Sequence, residues 1–228
     1  MIQLLHVSKT YPPNIAALKD ISLKIGSGEL VFLSGASGAG KTTLLRLLVR
    51  EEEPSEGEIL IDGKSVTQLN SRGVARLRQR VGIVFQNFKL LPNMTAVENV
   101  ALAALVIGVP RRESLSKAYH LMRELGLQKK YDATPSALSG GEQQRVAIAR
   151  ALIKNPIVVL ADDPMGNLDA KLADETMRFF LRIWQRGTTV VIASHDLDFC
   201  QRYGTRVISL QEGCLVKDSQ PTQTGGLK

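Results

Sequence analysis

The octet Gly35-Ala36-Ser37-Gly38-Ala39-Gly40-Lys41-Thr42 fits the pattern G-x-x-x-x-G-K-[ST], and its flanks are the apolar runs Leu30-Val-Phe-Leu33 and Thr43-Leu-Leu-Arg-Leu-Leu-Val49. Strand, glycine loop and helix therefore follow in order, the arrangement that cradles a nucleoside triphosphate. Backbone N–H groups of a tightly curled loop converge on one anion, and the positive end of the following helix adds to their field. Lys41 is expected to reach the β- and γ-phosphates as a mobile point charge. The Thr42 hydroxyl is expected to join the shell of a hard Mg²⁺ ion, with Thr43 as a further phosphate contact.

Working outward, Leu30 to Leu33, Ile157 to Ala161 and Val190 to Ala193 are continuous apolar runs, the pattern of parallel strands buried on both faces. Ile21, Leu23 and Ile25 alternate with polar residues, which suits a strand with one wet face. Arg80-Val-Gly-Ile-Val-Phe85 adds a strand ending at Gln86. Helical patterns separate the apolar runs, so the chain reads as an α/β domain whose ligand sits at the carboxyl ends of its strands. Between Gln86 and Leu138 the β-branched runs fade. Helix-like stretches Ala96 to Ile107 and Glu113 to Leu125 take their place, punctuated by Pro92, Pro110 and Pro135.

With 228 residues and 44% hydrophobic content, the chain can bury one sizeable core or a core and a small lobe. The net charge of +7 suits an anionic surface, but the basic residues are spread along the sequence, so a solvated surface is expected and no direct nucleic-acid contact. Glu51, Glu52 and Glu53 form a compact acidic run read as a solvated helix end. Cys200 and Cys214 have neither metal-ligand spacing nor the density of a disulfide scaffold, which points to a reducing interior. The opening Met1 to Val7 has no basic region followed by a long apolar stretch, so no secretory leader is expected. Val100 to Val109 is shorter than the roughly 20 residues that span a bilayer, so any membrane connection must come through a partner.

Ile157-Val-Val-Leu-Ala-Asp162 places a carboxylate at the tip of a buried strand. Such an aspartate can cap the next turn; beside a phosphate loop it is expected to hold Mg²⁺, through a water. Ser139, Gly140 and Gly141 precede Glu142 to Leu152, a helix with an N-cap serine and small residues that permit close approach to an anion. Read alone, that segment is also simply a well-capped helix. His195 follows the strand Thr189 to Ser194 and so lies at the same carboxyl edge as Asp162.

Tyr11, the glycine loop, Gln86, Leu138-Ser-Gly-Gly-Glu-Gln-Gln144, Val158 to Asp162, Gly166-Asn-Leu-Asp169 and His195 occur in the order and spacing of an ABC-type ATPase, which the chain resembles over essentially its whole length. Within that superfamily it is similar to the short group that includes FtsE, LolD and MacB, and its opening and the phrase Val31 to Lys41 look most like FtsE. The resemblance implies a P-loop ATPase core with a mixed, largely parallel sheet, an antiparallel β subdomain and an inserted helical lobe. It implies a core of 1–86 and 151–218, a helical lobe of 87–150 and a flexible tail of 219–228. ATP and Mg²⁺ are the implied ligands, with Thr42, Gln86 and Asp162 toward the metal. Tyr11 is expected to stack on adenine, with packing under a turn beside Pro12 and Pro13 as the alternative. Gly35 through Thr43 hold the phosphates. Asp163, Gln86 and His195 are the catalytic set, acting on the attacking water and the γ-phosphate.

Ser139, Gly140, Gly141 and Glu142 are implied to complete the site of a second copy, so the active species is a head-to-tail homodimer formed with ATP. Asn167 and Asp169 are expected along its seam, or else as a helix-starting turn. The implied partner is an integral membrane protein, FtsX-like in cell division, and the implied place is the cytoplasmic face of the bacterial inner membrane. A motor for a LolD-like or MacB-like exporter is the alternative. A nucleic-acid clamp of the same superfamily is disfavoured, because no coiled coil or zinc module separates the glycine loop from Leu138.

One departure bears on chemistry: the family has Glu after the metal-binding Asp, and here the residue is Asp163. One methylene fewer withdraws the carboxylate by roughly 1.5 Å, and misplacement of about 1 Å can cost on the order of 100-fold in rate. Slow hydrolysis with near-normal ATP binding is expected. A compensating backbone shift and a nonhydrolysing nucleotide switch are the alternatives. Met165 replaces a small hydroxyl residue, and Arg50-Glu51 replaces a glycine-containing phrase.

Overall fold

The computed structural model describes residues 1–166, 168–203 and 205–219. Strands β1 (Ile2–Tyr11) and β2 (Ile15–Ile25) pair antiparallel, and β3 (Leu30–Ser34) leads through the glycine loop into helix α1 (Lys41–Leu48). Next come β4 (Glu56–Ile61), the short β5 (Lys64–Ser65), α2 (Ser71–Arg80) and β6 (Val81–Val84). Helices α3 (Ala96–Leu105), α4 (Arg111–Glu124) and α5 (Gly140–Leu152) are inserted before β7 (Val158–Asp162). The chain closes with α6 (Ala170–Gln185), β8 (Thr189–Ser194), α7 (Leu197–Tyr203), β9 (Arg206–Gln211) and β10 (Cys214–Asp218).

The strands make two sheets. An antiparallel sheet has the order β2-β1-β4-β5, and the main sheet has the order β10-β9-β3-β8-β7-β6, parallel throughout except for β10 on the edge. The three continuous apolar runs become β3, β7 and β8, and each buries both faces. Leu30, Phe32, Val159, Ala161, Val190 and Ile192 point into one core, packed with α3 to α7. Their neighbours Val31, Leu33, Val158, Leu160, Val191 and Ala193 point into a second core, under α1 and the antiparallel sheet. Strand period and two-sided burial explain why no polar residue interrupts these runs. β2 alternates buried Ile21, Leu23 and Ile25 with exposed positions, as its sequence predicts.

Element ends differ by a residue or two from the sequence reading: β6 stops at Val84, α3 at Leu105, and α5 starts at Gly140. α2 was not legible in advance, because none of its residues is buried. The edge strand β10 is tied down by Arg206, whose Nε and Nη2 donate to the two carboxylate oxygens of Asp218 at 2.8 and 2.6 Å and whose Nη1 donates to Glu29 at 2.7 Å. Ser219, the first residue of the expected tail, is also held: Val207 N donates to its Oγ at 2.7 Å. The tail beyond it, and Asn167, lie outside the described residues. Among the described residues no helix is long and apolar enough to cross a membrane.

Gln144 on α5 is fully buried, and among the described residues neither its Oε1 nor its Nε2 has a hydrogen-bond partner. An unmatched buried amide destabilises. Gln144→Met, which keeps the volume and removes the polar atoms, is expected to stabilise the fold by about 1 kcal/mol, read as a higher urea midpoint at unchanged slope. A lower midpoint would mean that the amide is satisfied in solution.

Candidate nucleotide-binding site

The loop 35–40 leaves β3 at its carboxyl end and turns into α1 through Gly40, which sits at φ 103 as the helix N-cap. A Cβ there would lie 2.5 Å from the Ala17 carbonyl oxygen, so only glycine lets the loop close against β2. Behind it Lys41 is 9% exposed, and its Nζ donates to the carbonyls of Gly35 and Ala36 at 2.6 and 2.9 Å. Ala39 is buried beneath the loop. A cleft of about 380 Å³ brings Ser37, Gly38, Gly40, Lys41, Thr42 and Thr43 together with Gln86, Asp162, Asp163 and His195. Those last four come from the carboxyl ends of β6, β7 and β8, where an open α/β sheet places its ligands.

Burial pulls the Lys41 ammonium below its ordinary value, against the opposing charges of Asp163 and Asp162. Asp162 moves up: burial is the largest cause, the Asp163 charge adds to it, and the Thr42 hydroxyl, Arg46 and Lys41 oppose it. Both groups are thus partly desolvated and lack full compensation. Thr42 Oγ1 donates to Asp162 Oδ1 at 2.9 Å, with Gln86 on the same cleft wall. A hydroxyl, a carboxylate and a carboxamide in one place are hard oxygen donors, which fits Mg²⁺. Lys41 and the α1 N-terminus fit a polyphosphate.

Asp163 is in the left-handed region at φ 45, and its N–H donates to the Ala193 carbonyl at 2.9 Å. The carboxylate is folded back. His195 Nδ1 lies 3.2 Å from both its oxygens, and Gln86 Nε2 donates to Oδ2 at 3.3 Å. A Cβ on Gly166 would come within 2.2 Å of that same Oδ2, so the glycine makes room for the fold-back. With Nδ1–H donated to the carboxylate, the imidazole leaves Nε2 for another partner.

The segment after Gln86 carries a feature the sequence reading missed. Phe88 and Lys89 are consecutive non-glycine residues at φ 58 and 47, a conformation that costs about 1 to 3 kcal/mol per residue. Arg150, in the last turn of α5, donates to the Phe88 and Lys89 carbonyls at 2.6 Å each. The only hint in sequence is one arginine set in the apolar run Val146-Ala-Ile-Ala-Arg-Ala-Leu152. Lys89 Nζ sits 4.0 Å from the Phe85 ring centroid and 4.0 Å from Glu51. The acidic run follows α1 with Glu51 and Glu53 exposed, and it is also ion-paired. Glu52 pairs with Lys9 at 2.9 Å, and Glu53 pairs with Arg50. Arg50 itself is at φ 56, which explains why a glycine suits this position, and its guanidinium bonds the Val66 and Thr67 carbonyls at 3.3 Å. Met165 packs into the helix-side core.

Other expected residues lie elsewhere. Tyr11 does not line the cleft; its ring lies under Lys9 Nζ at 4.8 Å, and its hydroxyl is buried without a partner among the described residues. Ser139 and Gly140 are exposed at the start of α5. There a capping box closes: Ser139 N donates to Glu142 Oε2 at 2.9 Å and Glu142 N to Ser139 Oγ at 3.3 Å. The Ser139 backbone bond, with help from Lys130, holds the Glu142 carboxyl below its ordinary value. Gly141 packs under Leu172 of α6. Asp169 caps α6, accepting from Leu172 N at 2.9 Å. Cys200 is buried, and its thiol is pushed up to about 12, chiefly by burial, so it stays protonated.

Residues 18–166 match the ABC transporter family. The chain is 41% identical over 225 residues to the cell division ATP-binding protein FtsE of Bacillus subtilis (strain 168), covering 99% of each chain. It is 45% identical over 222 residues to FtsE of Mycobacterium tuberculosis (strain ATCC 25618 / H37Rv), covering 96% of each. A stretch of the macrolide export ATP-binding/permease protein MacB of Chlorobium phaeobacteroides (strain DSM 266 / SMG 266 / 2430) is 40% identical, over 98% of this chain and 34% of that protein. Among solved structures, an ATP-binding cassette in a dimeric post-hydrolysis state bound to ADP and Pi superposes with a TM-score of 0.91 at 36% identity, over 98% of this chain and 100% of that one. On its ordered motifs, its cleft and these likenesses, the chain belongs to the ABC transporter family.

Proposed function

We propose that the chain is the ATP-hydrolysing subunit of a membrane complex and works as a homodimer that encloses two nucleotides. The observation that carries this reading is a division of parts. One phosphate cradle is assembled around Lys41, while a second anion-binding helix end, opening on the exposed Ser139 and Gly140, stands outside that cleft. A second copy presented head to tail gives the exposed end a phosphate to meet. The dimeric cassette structure with ADP and Pi supports the same arrangement. The proposed organisation is a core of 1–86 and 151–218 carrying a helical lobe of 87–150.

In this reading Lys41 leaves its loop carbonyls for the β- and γ-phosphates, and the backbone of 35–43 neutralises the rest of the triphosphate. Thr42, Gln86 and, through water, Asp162 would hold Mg²⁺, which would supply charge neutralisation at the phosphates. Asp163 orients the attacking water, and His195, fixed by its Nδ1 bond, offers Nε2 to the γ-phosphate. Because the Asp163 carboxylate is short and folded toward His195 and Gly166, hydrolysis is slow but not absent. Tyr11 is proposed to meet adenine after leaving Lys9.

The membrane partner is proposed to be FtsX-like, with the cassette peripheral on the cytoplasmic face of the inner membrane; the FtsE relatives, matched end to end, support this. The MacB match keeps an exporter motor as the second reading. Co-purification separates them by the partner recovered.

Turnover per molecule is expected to rise with protein concentration and to vanish in Ser139→Arg, together with ATP-dependent dimerisation seen by light scattering. A rate indifferent to dilution excludes the shared site. In single-turnover assays Asp163→Glu is expected to be at least about 10-fold faster than the natural chain; equal rates would refute the reach argument. Asp162→Asn removes a carboxylate whose folded-state value is raised, so its stability cost is present above that value and absent below the unfolded one. The variant is expected to melt higher than the natural chain at pH 7, with the difference fading toward pH 3, and to lose Mg²⁺-dependent ATP binding. A lower melting temperature at pH 7 would contradict the burial argument.

A further inference from the structure

We propose that Arg150 is a positioning residue: by gripping the carbonyls of Phe88 and Lys89 it holds the loop after Gln86 in its left-handed form and so sets where the Gln86 carboxamide stands against Asp163. The proposal rests on the reading of Gln86 and Asp163 as parts of the hydrolytic site. Arg150 Nη1 donates to Lys89 and Nη2 to Phe88, both at 2.6 Å, and these two carbonyls are its only assigned partners among the described residues. An arginine drawn from water and matched to neutral carbonyls lacks the compensation a carboxylate would give. Both residues it grips are in the left-handed region, and neither is glycine.

Two residues upstream of the gripped pair, Gln86 Nε2 reaches Asp163 Oδ2 at 3.3 Å. Other contacts also hold the segment: Lys89 Nζ lies over the Phe85 ring and 4.0 Å from Glu51, Phe88 N donates to Phe85 O at 3.1 Å, Phe88 packs against the helix-side core and Leu91 N donates to Asn99 Oδ1 at 2.7 Å, but among the described residues only Arg150 reaches the Phe88 and Lys89 carbonyls. Release of Arg150 therefore frees the backbone to leave its disfavoured region, and Gln86 moves with it. α5 carries Ser139 at its start and Arg150 about 16 Å further along its axis, by the rise of 1.5 Å per residue. One rigid helix thus bears both the end offered to a second copy and the grip on this copy's Gln86 loop.

The test uses the full chain and the variants Arg150→Met, Arg150→Lys, Lys89→Gly and Arg150→Met with Lys89→Gly. Without nucleotide, amide exchange of segment 86–90 is expected to be about 10-fold faster in Arg150→Met, with α5 unchanged. Single-turnover hydrolysis is expected to fall about 10-fold while ATP affinity stays within about twofold. Arg150→Lys, with one donor group, is expected between Met and the natural chain. Since glycine enters the left-handed region freely, adding Lys89→Gly to Arg150→Met is expected to recover turnover toward that of Lys89→Gly alone. Unchanged exchange in 86–90, exchange that rises along α5 as well, ATP affinity that falls with the rate, or no recovery by glycine each overturns the proposal. A natural chain that hydrolyses no ATP would instead overturn the functional reading, and the exchange measurement still decides the grip.

Discussion

Burial of the main sheet on both faces is the constraint from which the rest of the architecture follows. β3, β7 and β8 send alternate residues into two separate cores, so each strand must be apolar throughout its interior. Each buried Val, Leu or Ile contributes roughly 1.5 to 3 kcal/mol, and a polar residue within these strands would forfeit that and add a desolvation cost. Polar chemistry is thereby excluded from the strands and admitted only where they end. Asp162, Asp163, His195 and Gln86 all follow this rule, and the parallel pairing brings their ends to one edge beside the glycine loop.

At that edge the side chains are poised rather than relaxed. Lys41 is nearly buried and spends its ammonium on loop carbonyls, while Asp162 is drawn out of water against its preference. A divalent cation and a polyphosphate carry the charges that would balance them, so the free energy withheld from the fold is returned on binding. Asp163, folded onto His195 and Gln86, adds a third strained element through its φ of 45. Strain concentrated in this way at a cleft is the usual counterpart of preorganised binding.

The glycine loop, the buried strands and the carboxylate at 162 were legible in sequence because each depends on local pattern: a fixed glycine spacing, an unbroken apolar run, an acid at its end. α2 was not, since a helix that buries nothing carries no apolar stripe to read. The partners of Glu51 and Glu52 were hidden for another reason. Lys9 and Lys89 are distant in the chain, and only the folded corner between α1 and the antiparallel sheet brings them close. The left-handed pair at Phe88 and Lys89 lacks the glycine that announces such geometry. Backbone held by a remote arginine leaves almost no local trace.

The carboxylate-gripped Arg206 has a consequence for the chain's solubility. β10 is the single antiparallel strand of the main sheet, and it shields the outward ladder groups of β9. The guanidinium fastens it from both sides, to Asp218 on β10 and to Glu29 ahead of β3. Were β10 to peel away, β9 would become an open parallel border five strands deep, free to recruit strands from neighbouring molecules. Arg206 thus acts against fibrous self-association, at a place remote from any nucleotide.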